Sequence, residues 1–387
     1  MHRKIGYSLL FRFSNVPNLR FPEFTGEWET VALEDICDKI GDGIHSTPNY
    51  DENGDYFFIN GNNLVNGRIQ ISETTKRVTK REAEQHNTSH LAENTVLISI
   101  NGTIGNLALY SHEQVMLGKS ACYINPRASK DRLFVFYQLG SRKIYNYFIS
   151  ELTGSTIKNL SLKSIRQTVF HLPSIEEQKK IGQFLSLLDK RIETQNKIIE
   201  QYKSLIKGIY TFLLGECDKY RKLGEFCQIK KGEQINRTEL SDDGKYYVMN
   251  GGITSSGSYH SYNTEANTIS ISEGGNSCGY VQYNDVPFWS GGHCYTLEDI
   301  DKDIYDRYLF HYLKANEPQI MALRIGSGLP NIQKKDLCHF CVPLPLLLNQ
   351  KEIANTLDKI MAKIELEEFL ISAYQKQKRH LLQNLFI

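Results

Sequence analysis

The stretch Leu172-Pro-Ser-Ile-Glu-Glu-Gln-Lys-Lys-Ile181 returns as Leu344-Pro-Leu-Leu-Leu-Asn-Gln-Lys-Glu-Ile353, and each copy opens a long heptad-patterned segment. The repeat is wider than these ten residues. At one constant offset and without a gap, residues 154–214 lie over residues 326–386. Gly154, Ser155 and Asn159 fall on Gly326, Ser327 and Asn331, Pro173 on Pro345, Gln178 on Gln350, Glu193 on Glu365 and Tyr202 on Tyr374. Self-similarity at this scale fixes the architecture before any single motif does.

The heptad pattern is the strongest periodic signal in the chain. Ile181, Leu185, Leu188, Ile192, Gln195, Ile199, Tyr202, Ile206, Ile209 and Leu213 advance in alternating steps of four and three, which keeps one stripe facing a partner helix. The second copy reads Ile353, Leu357, Ile360, Ile364, Glu367, Ile371, Tyr374, Lys378, Leu381 and Leu385. Each helix begins after Pro173 or Pro345 and runs for roughly 40 residues, about 60 Å at the standard rise. One apolar stripe of that length needs cover in water, and its own repeat is the nearest partner. Parallel and antiparallel pairings both satisfy the stripe. The antiparallel one is favoured, because Gln195 and Glu367 form a central polar rung that stays matched when one helix is reversed, and a polar rung selects register.

Ahead of each helix the texture changes to short strands, glycines and aromatics. Residues 56–60, 95–100 and 121–125 read as strands, with Gly61, Gly102 and Gly105 in the turns. Residues 246–250 and 267–272 repeat the first two, and aromatic-rich helices are expected at 132–148 and 304–316. The predicted fold class is α+β: two similar α/β domains, each followed by a long helix, the two helices pairing as an antiparallel coiled coil. The expected boundaries are a leader at 1–27 that packs poorly or only locally, a first domain at 28–173, a central helix at 174–214, a second domain at 215–345 and a second helix at 346–387. Between matched strands the first domain carries a polar, basic stretch at 64–90 where the second has only 253–262, so the two surfaces differ while the scaffold does not.

Composition narrows the class. The 387 residues include 40% hydrophobic ones, enough for two cores of ordinary domain size, and a net charge of +1 argues against a protein that coats nucleic acid indiscriminately. Eight scattered cysteines predict reduced thiols; Cys338 and Cys341 form the one close pair, lack the second pair a zinc site needs, and are expected in a buried strand. No apolar run approaches the ~20 residues of a membrane span. Catalytic signatures are missing too. Gly118-Lys119-Ser120 ends like a phosphate loop, but the required earlier glycine is Glu113, and no methyltransferase Asn-Pro-Pro-Tyr motif occurs. His45 and Ser46 near Asp42, or His293 beside Cys294, lack a third catalytic member and read as loop residues or base contacts.

The doubled order of a variable α/β domain, Gly-Ser-x-x-x-Asn, a Pro followed by Gln-Lys and a long helix resembles the specificity subunit of type I restriction-modification enzymes. Gly154-Ser-Thr-Ile-Lys-Asn159 and Gly326-Ser-Gly-Leu-Pro-Asn331, with the two Pro-Gln-Lys segments, carry the resemblance, and Ile98-Ser-Ile-Asn-Gly-Thr-Ile-Gly105 is similar to a segment of the family's target-recognition domains. The second copy departs by placing Leu348 and Asn349 where the first has Glu176 and Glu177. The resemblance implies a non-catalytic cytoplasmic subunit whose domains each read one half of a bipartite double-stranded DNA target. The helices would set the spacer and dock two modification subunits, and two restriction subunits would complete the enzyme. No cofactor is expected in this chain; S-adenosylmethionine, ATP and Mg belong to the partners. A non-catalytic coiled-coil scaffold with two protein-binding domains is the alternative.

DNA readers need cations for phosphates and amide, hydroxyl or imidazole groups for base edges, held on rigid loops. Candidate phosphate contacts are Lys76, Arg77, Lys80 and Arg81 in the long loop of the first domain, Lys158, Lys230 and Lys231, and Lys334 and Lys335. Candidate base readers are Asn60, Asn62, Asn63, Ser99, Asn101 and Thr103 in the first domain and Asn250, His260, Asn276 and His293 in the second.

Overall fold

In the computed structural model the described residues are 15–387, apart from 86–89, 155–157, 216, 218, 242 and 327–329 and the side chains of 212–215. Ser155, Ser327 and the Leu213 side chain therefore lie outside the described residues. The chain divides into two units, residues 1–194 with 370–387, and residues 195–369.

Both units repeat one strand plan. In the first, Cys37–Asp42, Ala121–Pro126, Val96–Ser99 and Leu107–Leu109 form an antiparallel sheet in that order. In the second, Gln228–Lys231, Cys294–Glu298, Thr268–Ser272 and Val281–Asn284 take the same order. A smaller sheet accompanies each. Arg77–Val78, Tyr56–Ile59 and Val115–Leu117 correspond to Ser258–Tyr259, Tyr246–Met249 and Trp289–Ser290, the last pair being parallel both times. The central strands, Val96–Ser99 and Thr268–Ser272, are buried at every position, as strands covered on both faces must be. A two-stranded ribbon closes each domain just before its long helix: Glu29–Ala32 with Val169–Leu172, and Tyr220–Lys222 with Cys341–Pro343. The α+β class and its duplication are as the sequence predicts.

The aromatic helix expected at 304–316 forms as one, Asp306–Ala315, whereas the one expected at 132–148 is in fact two. Arg132–Leu139 stops at Gly140, and Ser141 restarts the chain by accepting the Ile144 amide at Arg142–Ser150. A separate short helix, Glu317–Ala322, follows Asp306–Ala315 beyond the expected range, its first turn containing Pro318, a residue with no amide hydrogen to continue a helix.

The long helices are Ile175–Gly215 and Leu347–Asn384, 41 and 38 residues. A buried glutamine anchors the first turn of each. Gln178 Nε2 donates to the Pro173 carbonyl at 2.9 Å while its Oε1 accepts the Asp131 amide at 3.2 Å. Gln350 donates to the Pro345 and Asp303 carbonyls at 2.9 and 3.0 Å and accepts the Tyr305 amide at 2.8 Å. The spacing Pro-x-x-x-x-Gln thus ties the helix start to the start of the aromatic helix in the same domain.

The helices pair antiparallel, and each unit shows it independently. In the first, Leu381, Leu385 and Phe386 share one core with Ile181 and Leu185, and Lys378 Nζ donates to Asp189 Oδ1 at 2.5 Å. In the second, Tyr210 shares a core with Ile353 and Leu357, and the Lys363 ammonium lies over the Tyr202 ring. The polar rung is the exception. With Lys363 at Tyr202, Glu367 one turn on lies level with Ile198 and Ile199 and not with Gln195. Buried leucines and isoleucines at the helix heads, fused to the domain cores, set this register in place of the rung. Ile192, Ile364, Ile371 and Tyr374 are half-buried along the stripe, while Leu188 packs against the first core and Ile360 is buried.

Two further expectations are corrected. Residues 15–27 are no loose leader, because Arg20 makes two hydrogen bonds to the buried carboxylate of Glu177, Phe21 meets the Phe184 ring edge-on, and Asn15 bonds the Trp28 carbonyl and Thr30. Residues 1–14 lie outside the described residues. Cys338 ends a short helix and Cys341 is exposed, so of that segment it is Val342 that fills the core.

In the second unit, buried His311 donates from Nε2 to Asp358 Oδ1 at 2.7 Å, and Arg307 also pairs with Asp358. Burial lowers His311 below the ordinary histidine range despite the carboxylate beside it. An imidazole kept neutral when folded takes up a proton on unfolding, so below the unfolded value of about 6.5 the unfolded chain binds more protons and stability falls with pH. The melting temperature of His311→Gln should therefore fall less steeply than that of the parent between about pH 7 and pH 5.5, as calorimetry would register.

Candidate nucleic-acid interface

In each domain the strand plan brings three loops to one place. In the first they are Asn60-Gly61 after the smaller sheet's central strand, Ile100–Gly105 after the buried strand, and Gly118–Ser120 before Ala121. Ser120 Oγ donates to Asn60 Oδ1 and accepts the Gly61 amide, both at 2.9 Å. The Gly118 amide donates to Ile59, the Ile100 amide to Ser120 and the Leu160 amide to Ile100. A methyl at Gly118 would strike Asn60 Oδ1 and the Phe58 ring, so only glycine lets the loops meet. The segment around 158–159 joins them, since the Gly102 amide reaches the Lys158 carbonyl and Asn101 bridges to Asn159.

The second domain repeats this bonding with different side chains. The Gly291 amide donates to Met249, the Glu273 amide to His293 and the Ile332 amide to Glu273, and a methyl at Gly291 would strike Asn250 Oδ1. Gly274 bridges to Asn331 as Asn101 does to Asn159. Strand pairing makes Asp42 and Lys231 equivalent, as it does Ser120 and His293, and Ile100 matches Glu273. Position by position, Asp42, Ile100 and Ser120 become Lys231, Glu273 and His293. Lys231 Nζ bonds Glu273 Oε1 at 2.6 Å and Tyr295 Oη bonds the same oxygen at 3.1 Å. In the first domain, His45 bonds Asp42 at 2.8 Å.

Not every predicted reader presents its side chain. Asn63 spends its oxygen on the Asn60 amide and its nitrogen on Gln70, and buried Ser99 accepts the Asn106 amide. Both hold loops. Asn60 is likewise committed to Ser120, and Asn250 to the His293 amide at 3.2 Å. Asn62, Thr103, His260, Asn276 and His293 are exposed and Asn101 half-buried, its amide 3.4 Å from the Lys119 carbonyl. Among the cations, Lys76 lies over the Tyr50 ring and Arg77 over Phe57 on the edge strand, next to the strand that leads into Asn60. Lys80 pairs weakly with Glu84 at 3.7 Å, and Arg81, Lys158, Lys334 and Lys335 are exposed. Lys230 pairs with Glu298 at 3.6 Å. Asp42, Lys119 and Ser120 belong to the first platform and Glu273 to the second, and none was predicted as a reader; the strand offset that aligns Gly118 with Gly291 points to Ser120 and Glu273.

Among the described residues no group of three or more His, Cys, Asp or Glu side chains is placed to hold a metal ion, and no helix is long and apolar enough to cross a membrane. The model of the type I restriction modification DNA specificity domain matches residues 25–203 and again residues 218–373. The chain belongs to the type I restriction-modification specificity-subunit family.

Similarity to individual members of that family is of two kinds. A putative type I specificity subunit of Mycoplasma pneumoniae is 36% identical over 168 residues, 43% of this chain and 44% of the relative. The chain thus matches less than half the length of that relative. A putative specificity subunit of Methanocaldococcus jannaschii is 25% identical over 97% of this chain and 96% of its own length. Among solved structures, the type I S subunit of M. genitalium shares the fold with a TM-score of 0.69 at 21% identity, covering 96% of this chain and 99% of that one.

The close approach of the platform loops is testable. Gly118→Ala should force Asn60 off Ser120 and cost about 1–3 kcal/mol, as overpacking does, measured by chemical denaturation.

Proposed function

We propose that this subunit reads a bipartite double-stranded DNA target, one half with each domain, and that the number of bases between the halves follows from the paired helices. The observation that carries this reading is the duplicated loop platform: the same backbone bonds hold the loops in both domains, while the residues at Asp42, Ile100 and Ser120 are replaced by Lys231, Glu273 and His293. A shared scaffold with exchanged polar groups suits two readers of unlike sequences. Lys76, Arg77, Lys80, Arg81 and Lys158 would meet phosphates around the first half-site, and Lys230, Lys231, Lys334 and Lys335 around the second.

The chemistry then belongs to partners. Two modification subunits carrying S-adenosylmethionine would dock on the helices, where Leu187, Leu205, Leu366 and Phe369 are exposed apolar side chains at 64%, 49%, 56% and 69%. Two restriction subunits with ATP and Mg would complete a cytoplasmic assembly, with no catalytic group contributed by this chain.

The test is methylation-sensitive sequencing of DNA from cells expressing this chain with its cognate modification subunit. A single interrupted motif is expected; modification without sequence preference would sink the proposal. In gel shifts with the same complex, Arg77→Ala should weaken binding to all sequences and flatten the salt slope by about 1. Asn101→Ala should instead relax preference at a single half-site position, costing about 1–3 kcal/mol of discrimination.

A further inference from the structure

Glu273 is 7% exposed, and its carboxylate is divided in use. Oε1 is taken by Lys231 and Tyr295. Oε2 is sealed from solvent and has no hydrogen-bond partner among the described residues, and His293 Nδ1 lies 3.7 Å from it. A buried carboxylate oxygen with no donor is costly unless something approaches it. Its backbone cannot drift to relieve this, because the Glu273 amide donates to His293 and its carbonyl accepts from Ile332. His293 is held as well, its amide on Asn250 Oδ1 and its Cβ against Gly251, yet its ring is 63% exposed. A fixed carboxylate therefore stands behind an exposed imidazole. Such a pair sets which ring nitrogen carries the proton and how the ring is turned.

Resting on the reading of the second domain as a DNA half-site reader, we infer that His293 is a specificity-determining residue that meets the edge of one base pair in the second half-site, and that Glu273 positions it. From 3.7 Å, beyond hydrogen-bond range, a small turn of the ring would bring Nδ1–H onto Oε2 and leave Nε2 as the reading atom. Lys231 and Tyr295 fix the carboxylate from behind. The first domain has no such device: Ile100 stands in place of Glu273, and Ser120 in place of His293 is consumed by Asn60 and Gly61. The two halves of the target are thus read by unlike chemistry on one scaffold.

The experiment uses the complete complex with its modification subunits and sequences the methylated sites of four variants. His293→Ala should relax one position of the second half-site, with discrimination there falling roughly ten-fold or more, and leave the first half-site intact as an internal control of folding. Glu273→Gln, which keeps shape, should relax the same position. In the His293→Gln background, where no imidazole remains to be oriented, adding Glu273→Gln should change nothing further. Unchanged preference in His293→Ala, or an equal effect of Glu273→Gln with and without the histidine, overturns the inference. A parent complex that marks no interrupted motif overturns the underlying function instead.

Discussion

The side chains of Gln178 and Gln350 hold each long helix to its domain, and the rest of the architecture follows from that hold. Both are 1% exposed, and each closes bonds to a proline carbonyl behind it and to the first amide of the aromatic-helix turn. A buried amide with both ends satisfied is worth most when it joins elements far apart in sequence, because it then fixes an angle as well as a contact. A helix of about 40 residues multiplies any error in that angle along its length. Only with the first turn rigidly set can the stripe that follows meet a partner along its whole course.

The same helices show why a heptad stripe is not read as a seam alone. Ile181 and Leu185 lie in the first domain's core with Leu381, Leu385 and Phe386, so the head of one helix and the tail of the other are covered by the same aromatic residues. Ile353, Leu357 and Tyr210 repeat this in the second unit. Much of the stripe's burial is thus placed at the helix ends, where domains add to it, and along the middle Ile199 is buried while Ile192, Ile364, Ile371 and Tyr374 are half-buried. The polar residues Gln195 and Glu367 fall in that half-buried middle. Register is decided where burial is greatest, which is why their match in sequence does not become a match in space.

What could be read from the sequence divides along the same physical line. The duplication, the α+β class, both long helices and their orientation were legible because periodicity and repetition are global signals that many residues carry together. The break at Gly140-Ser141 and the packing of residues 15–27 were not. The first depends on one capping serine in an otherwise continuous aromatic pattern, and the second on Arg20 finding Glu177 across 157 positions. At the site, polarity in loops marked the right neighbourhood but could not separate a reader from a brace. Asn63 and Ser99 look like base contacts in sequence, yet their bonding capacity is used up inside the loop.

That distinction bears on how such a surface changes its target while keeping its fold. The bonds that both domains share, through Ile59 or Met249, Ile100 or Glu273, and Ser120 or His293, run between backbone groups, which any residue supplies, and side-chain bonds such as Ser120 to Asn60 and Asn250 to His293 are added on top of them. The shared backbone bonds therefore leave residue type open at Ile100 and Ser120, which become Glu273 and His293, whereas Gly118 and Gly291 are fixed because a methyl has no room there. Exchange of Asp42 for Lys231 and of Ile100 for Glu273 reverses or introduces charge at the site without disturbing a strand. Under the proposed function, a code for the target is to be sought in side chains that the repeat does not conserve between its own halves.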